Sequence, residues 1–258
     1  MKKILNKALS AILILSMVLS ILTIAFAAEG DVNHHSDSDV NYQQERISLE
    51  EQAQIKELSR AQAIFEGMSI EELNCYIDTT IERINQRSSE AKAAPAAGQK
   101  ALPGAPTVIE LKLLWLAAAQ AVKLAGYPCS GKLVECSVLG LNYNESKGAG
   151  GLFRDKIVGT NTYKNYINKI KKGTYSTGVG YVLTHPKSEN ADLYYSLHSC
   201  TYTTTKSGST YKVAVYDFYD FALMNYDSLF TGIVNNWAWL CQHTWVLHKI
   251  HVNISFSA

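Results

Sequence analysis

The chain has 258 residues, with 24 lysine and arginine side chains against 23 aspartate and glutamate, and 47% of its residues are hydrophobic. That suffices for one moderate domain with appendages, and so even a charge balance excludes the concentrated basic surface of a nucleic-acid binder. None of the five cysteines stands in a C-x-x-C pair, which argues against a zinc ribbon or a thioredoxin-type site.

Lys2, Lys3 and Lys7 precede an uncharged run from Ala8 to Ala27, closed by Ala25-Phe26-Ala27 and then Ala28. A basic start, an apolar middle and a small-x-small end mark a secretory signal peptide, so residues 1–27 read as a cleaved leader and the protein as secreted. An uncleaved anchor is the competing reading, because the run approaches the roughly 20 residues of a spanning helix. No stable membrane span is expected after cleavage, since the apolar stretch Leu113 to Val122 is too short. Without the leader, residues 28–106 carry 14 acidic and 7 basic side chains, and residues 107–258 carry 9 and 14. The two halves therefore attract each other weakly or serve different partners.

Residues 28–47 are polar and read as a disordered tail. Residues 48–86 read as a helical hairpin opened by two capping boxes, Ser48 with Glu51 and Ser69 with Glu72. Leu73, Tyr76, Ile77, Ile81 and Ile84 fall on one helical stripe. Residues 87–106, rich in Ala, Pro, Gly and Ser, read as a linker.

A third box, Thr107 with Glu110, opens an apolar core helix that ends at Gly126 and Pro128. Short helices are expected from Ser130 to Leu139, Leu152 to Val158 and Thr162 to Lys171. Strands follow at Tyr175–Leu183, Leu193–Thr205 and Tyr211–Phe221, with a turn at residues 206–209. A helix is expected from Asn225 to Leu247, and a last strand puts Val252, Ile254 and Phe256 on the core face. The fold class is α+β: an N-terminal helical hairpin, then helices followed by an antiparallel sheet crossed by one helix.

Candidate chemistry centres on the strand hairpin. With a four-residue turn Thr205 faces Thr210, and His198 falls opposite Asp217, where an imidazole and a carboxylate could form a general-base couple. The same register sets Ser196 against Tyr219 and Cys200 against Val215. A structural cross-strand pair is the plainer reading, and a one-residue slip removes the pairing. Cys129 and Cys136 are the nearest pair for a disulfide, while Cys200 and Cys241 read as buried thiols. His34, His35, Asp37 and Asp39 read as an exposed tail. His243, His248 and His251 match no zinc spacing, so no metal is expected. Trp239 points away from the helical stripe and is a candidate binding residue. No Gly-rich phosphate loop, G-x-S-x-G or H-E-x-x-H pattern occurs, and no cofactor is expected.

Asp217-Phe218-Tyr219-Asp220 is similar to the opening D-x-Y-D of the motif of colicin M-type toxins, which cleave the lipid-linked cell-wall precursor outside the cytoplasm. That family continues with five residues and then His-Arg, whereas Tyr226 and Asp227 stand at those positions here. The order of the apolar helix, GYPCSGKLVECSVLG, DLYYSLH, the hairpin, VYDFYDF and V-x-I-x-F resembles a C-terminal domain of secreted bacterial proteins of the polymorphic-toxin kind. That resemblance implies a toxin-like effector with an immunity protein or a cell-envelope target as partner. It singles out Asp192, His198, Asp217, Tyr219 and Asp220, with Asp192 as a binding position. Two other readings stand beside it: a non-enzymatic extracellular binding module using a tyrosine-rich sheet face, and a membrane-active protein.

Overall fold

A computed structural model describes residues 49–93, 106–221 and 238–258. The segments expected as leader and tail, Ser48, the rest of the expected linker from residue 94 to 105, and residues 222–237, with Tyr226, Asp227, Trp237 and most of the helix expected from Asn225, lie outside the described residues.

Two helices come first, α1 (Leu49–Glu66) and α2 (Ile70–Ala93). The Ser69 box is formed: the Glu72 amide donates to Ser69 Oγ at 3.2 Å, and the Ser69 amide donates to the Glu72 carboxylate at 2.7 Å. Leu73, Ile77, Ile81 and Ile84 are buried as the stripe requires, and Phe65 of α1 meets Tyr76 of α2 at 4.9 Å between ring centroids. Helix α2 continues beyond residue 86 to Ala93, so residues 87–93 are helical rather than linker. Arg87 donates to both Glu110 oxygens, at 2.9 and 3.0 Å, which fixes this turn against the next helix.

That next helix, α3 (Val108–Leu124), starts at the Thr107–Glu110 capping box. Leu111, Leu114, Trp115 and Leu116 are buried around it with a run of alanines, because α1, α2 and α4 pack on its different sides. No helix among the described residues is long and apolar enough to cross a membrane. Helix α4 (Pro128–Leu139) starts ahead of Ser130, since Pro128 takes a first-turn position where its missing N–H is no loss. Gly140, with φ 68°, closes it in the left-handed conformation.

Strand β1 (Tyr143–Ser146), α5 (Leu152–Gly159) and α6 (Asn161–Lys171) follow. Strand β2 (Gly180–Thr184) is shorter than the β-prone composition suggests. Tyr175 instead stacks flat on Tyr181 at 4.1 Å. Residues 193–197, expected as the start of a strand, belong instead to helix α7 (Ala191–Leu197), capped by the Asn190 side chain on the Leu193 amide at 3.0 Å. Leu193, Ser196 and Leu197 bury one helical face there. The hairpin then runs through β3 (Ser199–Ser207) and β4 (Thr210–Tyr219). Residues 238–243 are helical, and β5 (Ile250–Ser257) ends the described elements with Val252, Ile254 and Phe256 buried.

The sheet order is β1-β5-β4-β3-β2, antiparallel except for the parallel pair β1–β5, which makes an α+β fold. Helices cover one face, where Leu133, Phe153, Tyr166, Tyr202, Val215 and Ile254 share a core. A second cluster joins α1, α2 and α3 to Val246 and Leu247. All five cysteines are free thiols. Cys129 and Cys136 stand two turns apart on α4, about 10 Å along its axis and beyond disulfide reach.

Candidate functional site

The β3–β4 turn has two residues, Gly208 and Ser209, with Gly208 at φ 61°. Thr205 therefore faces Lys212 rather than Thr210, and Tyr202 rather than Cys200 faces Val215. Continued to the strand end, this register sets Cys200 level with Asp217. His198 and Asp217 are not brought together, and neither are Ser196 and Tyr219. His198 is the exposed C-cap of α7 at φ 19°, its ring edge-on to Tyr194 at 4.7 Å. Its carbonyl accepts from the His185 amide at 2.7 Å.

Asp217 lies on the helix-covered side of the sheet, between Val215 and Tyr219. Burial pushes its carboxyl up to about 7. A 2.9 Å bond from the Phe218 amide opposes that shift, and Asp220 adds to it. Burial also raises the Cys200 thiol and the Tyr219 phenol, and the Asp217 charge adds to both. Asp220 is exposed, 3.8 Å from Lys249 Nζ. A carboxyl that titrates near neutrality suits acid–base work, but none of its described hydrogen bonds or ion pairs joins it to an imidazole or a nucleophile.

Asp192 is 3% exposed. Its carboxylate accepts from the Cys129 and Ser130 amides, each at 2.9 Å, and from Ser130 Oγ at 2.8 Å, with Lys156 at 3.3 Å. It is the N-terminal cap of α4, its lone pairs already engaged. Glu145 does the same for α5, accepting from the Phe153 and Arg154 amides at 3.1 and 2.9 Å. Trp239 is half-buried and packs on His243 at 4.0 Å. His248 approaches Lys112 at 3.4 Å and His251 bonds the Tyr216 hydroxyl at 2.9 Å, so the late histidines have separate partners. Among the described residues no group of three or more histidines, cysteines or acids could hold a metal.

On the opposite face of the sheet the outward positions are exposed or half-buried throughout the described strands, and the buried core formed by the described helices lies on the other side. Strand β3 presents Thr201, Thr203 and Thr205 there, and β4 presents Tyr216 and Phe218, 44% and 42% exposed. Register places Tyr216 beside Asn253 and Phe218 beside His251, and Asn253 beside Asn144. The Asn253 amide donates to Asn144 Oδ1 at 3.1 Å. On the far side Val182 is 72% exposed, level with Thr201. Sequence patterning misses this patch because period-2 alternation shows that two faces exist but not which one the helices leave open. No protein-family model matches the chain, and neither a curated protein nor a solved structure does.

Proposed function

We propose that the protein is a secreted, non-enzymatic binding module whose working surface is the open face of its sheet, directed at the envelope of other cells. One observation carries the reading: Tyr216 and Phe218 stand exposed side by side on β4, the middle strand, on a face where Ser, Thr and Asn predominate. Aromatic side chains left in water forgo about 25 cal/mol per Å² of buried apolar surface, and contiguous exposed patches of this kind mark contact surfaces. Sedimentation with intact bacterial cells tests it. The wild-type chain is expected to co-sediment, and a Tyr216→Ala/Phe218→Ala double variant with an unchanged melting temperature is expected to stay in solution. Equal sedimentation of the two proteins overturns the reading.

A toxin-like effector is the second reading, favoured by the near-neutral Asp217 carboxyl within D-x-Y-D. It requires that the chain slow bacterial growth when expressed with or without its leader, and that Asp217→Asn restore growth. Unimpaired growth in both compartments excludes it.

A further inference from the structure

The open sheet face has a chemistry specific enough to name its ligand class, given the reading of that face as the working surface. Its outward positions on all five strands include no carboxylate, and Lys212 is the one lysine. A single lysine without a second cation beside it is too dilute a charge to select nucleic acid, phosphate groups or charged peptides. Twelve of the other eighteen outward positions are Ser, Thr or Asn, each offering both a donor and an acceptor. An apolar partner laid over them leaves many hydroxyls and amides unpaired, at about 1–3 kcal/mol for each buried group. The ligand must therefore match donors and acceptors along its length and also present C–H surface to exposed rings. Neutral polyhydroxyl chains have both properties.

We infer that the face binds a neutral polysaccharide, with Tyr216 and Phe218 as stacking platforms and His251, Asn253 and Asn144 as its hydrogen-bonding rim. The two rings stand two positions apart on one strand, about 7 Å by strand geometry, and point the same way. The negative faces of such rings favour C–H groups carrying partial positive charge. Two side-chain contacts already order the rim: Tyr216 OH with His251 Nδ1 at 2.9 Å, and Asn253 Nδ2 on Asn144 Oδ1 at 3.1 Å. Asn253 Oδ1 and Asn144 Nδ2 keep capacity for a ligand hydroxyl. Pre-ordered groups lose little freedom when the ligand arrives, which favours affinity. Lys249, over Phe218 at 6.0 Å and near Asp220 at 3.8 Å, bounds the patch at one corner.

The test is sedimentation of the full chain with insoluble cellulose, chitin and β-1,3-glucan, followed by calorimetry with the matching hexasaccharide. Saturable binding to at least one of them is expected, unaffected by a tenfold rise in salt. Tyr216→Ala and Phe218→Ala should each weaken it about tenfold or more, and Asn253→Ala by a smaller factor. Binding that Tyr216→Ala and Phe218→Ala leave intact overturns the assignment together with the working-surface reading. If the chain sediments with cells through this face but with none of the three polysaccharides, the ligand class is overturned and that reading survives. Self-association in sedimentation velocity that is lost in Phe218→Ala, without polysaccharide binding, gives the face to a second copy and also overturns the inference.

Discussion

Asp217 and His185 titrate in opposite senses across the same pH range. His185 is buried, its Nε2 paired with the Tyr202 hydroxyl at 2.9 Å and its Nδ1 without a partner, and burial lowers it to about 4. The folded state thus resists protonation of His185, and stability is lost as pH falls from about 6.5 towards 4. Asp217 behaves inversely: the folded state holds its proton up to about 7, so stability is lost as pH rises from about 4 to 7. Each pKa unit corresponds to ~1.4 kcal/mol, and partial solvation of Asp217 reduces its share to on the order of 2 kcal/mol. The two slopes offset each other in the wild-type chain. Asp217→Asn is therefore expected to make the melting temperature climb steeply from pH 4 to 7, and an unchanged profile contradicts the assignment. Alternation along the strand sets Asp217 on one side with Val215 and Tyr219, but neither that side's cover nor the cross-strand partner was legible. Moving from a four-residue to a two-residue turn shifts the register by two positions, which leaves Asp217 on the same side of its strand and replaces His198 by Cys200 as its neighbour.

Close approach governs the helix layer. A Cβ on Gly131 of α4 would lie 2.5 Å from the Ala119 carbonyl oxygen and 2.6 Å from Lys123 Cγ of α3. Gly131→Ala is expected to lower stability by about 1–3 kcal/mol in urea unfolding, whereas Gly148→Ala, where an added Cβ meets nothing within 4 Å, should be nearly neutral. Asp192→Ala removes the α4 cap, leaving the buried Cys129 and Ser130 amides and the half-buried Lys156 without this partner, a loss of about 1–3 kcal/mol. A folded, fully stable Asp192→Ala protein contradicts the capping role. Capping boxes were legible at Ser69 and Thr107 because their signal lies within four residues. Helix α7 was not, since DLYYSL is as β-prone as it is helical, and only the burial of Leu193 and Leu197 on one side decides it. Strand β1 escaped for a different reason: it has four residues, and its hydrogen-bonded neighbour lies 109 residues away in the chain.

At the level of the whole molecule, the acidic and basic halves share one interior. Leu58, Phe65, Leu73 and Ile81 pack in the same cluster as Leu114, Trp115 and Leu247. Glu135 joins the layers, buried among Gln62 Nε2 at 2.6 Å, Lys123 at 2.9 Å and Lys132 at 2.7 Å. Removing α1 and α2 strips this carboxylate of one partner and bares one side of α3. A chain that starts at Thr107 is therefore expected to melt at least several degrees lower than one that starts at Ser48 and to bind a hydrophobic dye. Equal melting temperatures show that the two parts are energetically independent. The composition shift at residues 87–106 points to a boundary, but helicity up to Ala93 and the Arg87–Glu110 contact arise from tertiary partners that no local pattern encodes. Vectorial synthesis gives the sheet order one more consequence. Strands β1 and β4 flank β5, so both emerge from the ribosome before the strand that pairs with them exists. Their edges stay open until residues 250–257 arrive, and a stop codon before Ile250 would leave an aggregation-prone product rather than a shortened domain.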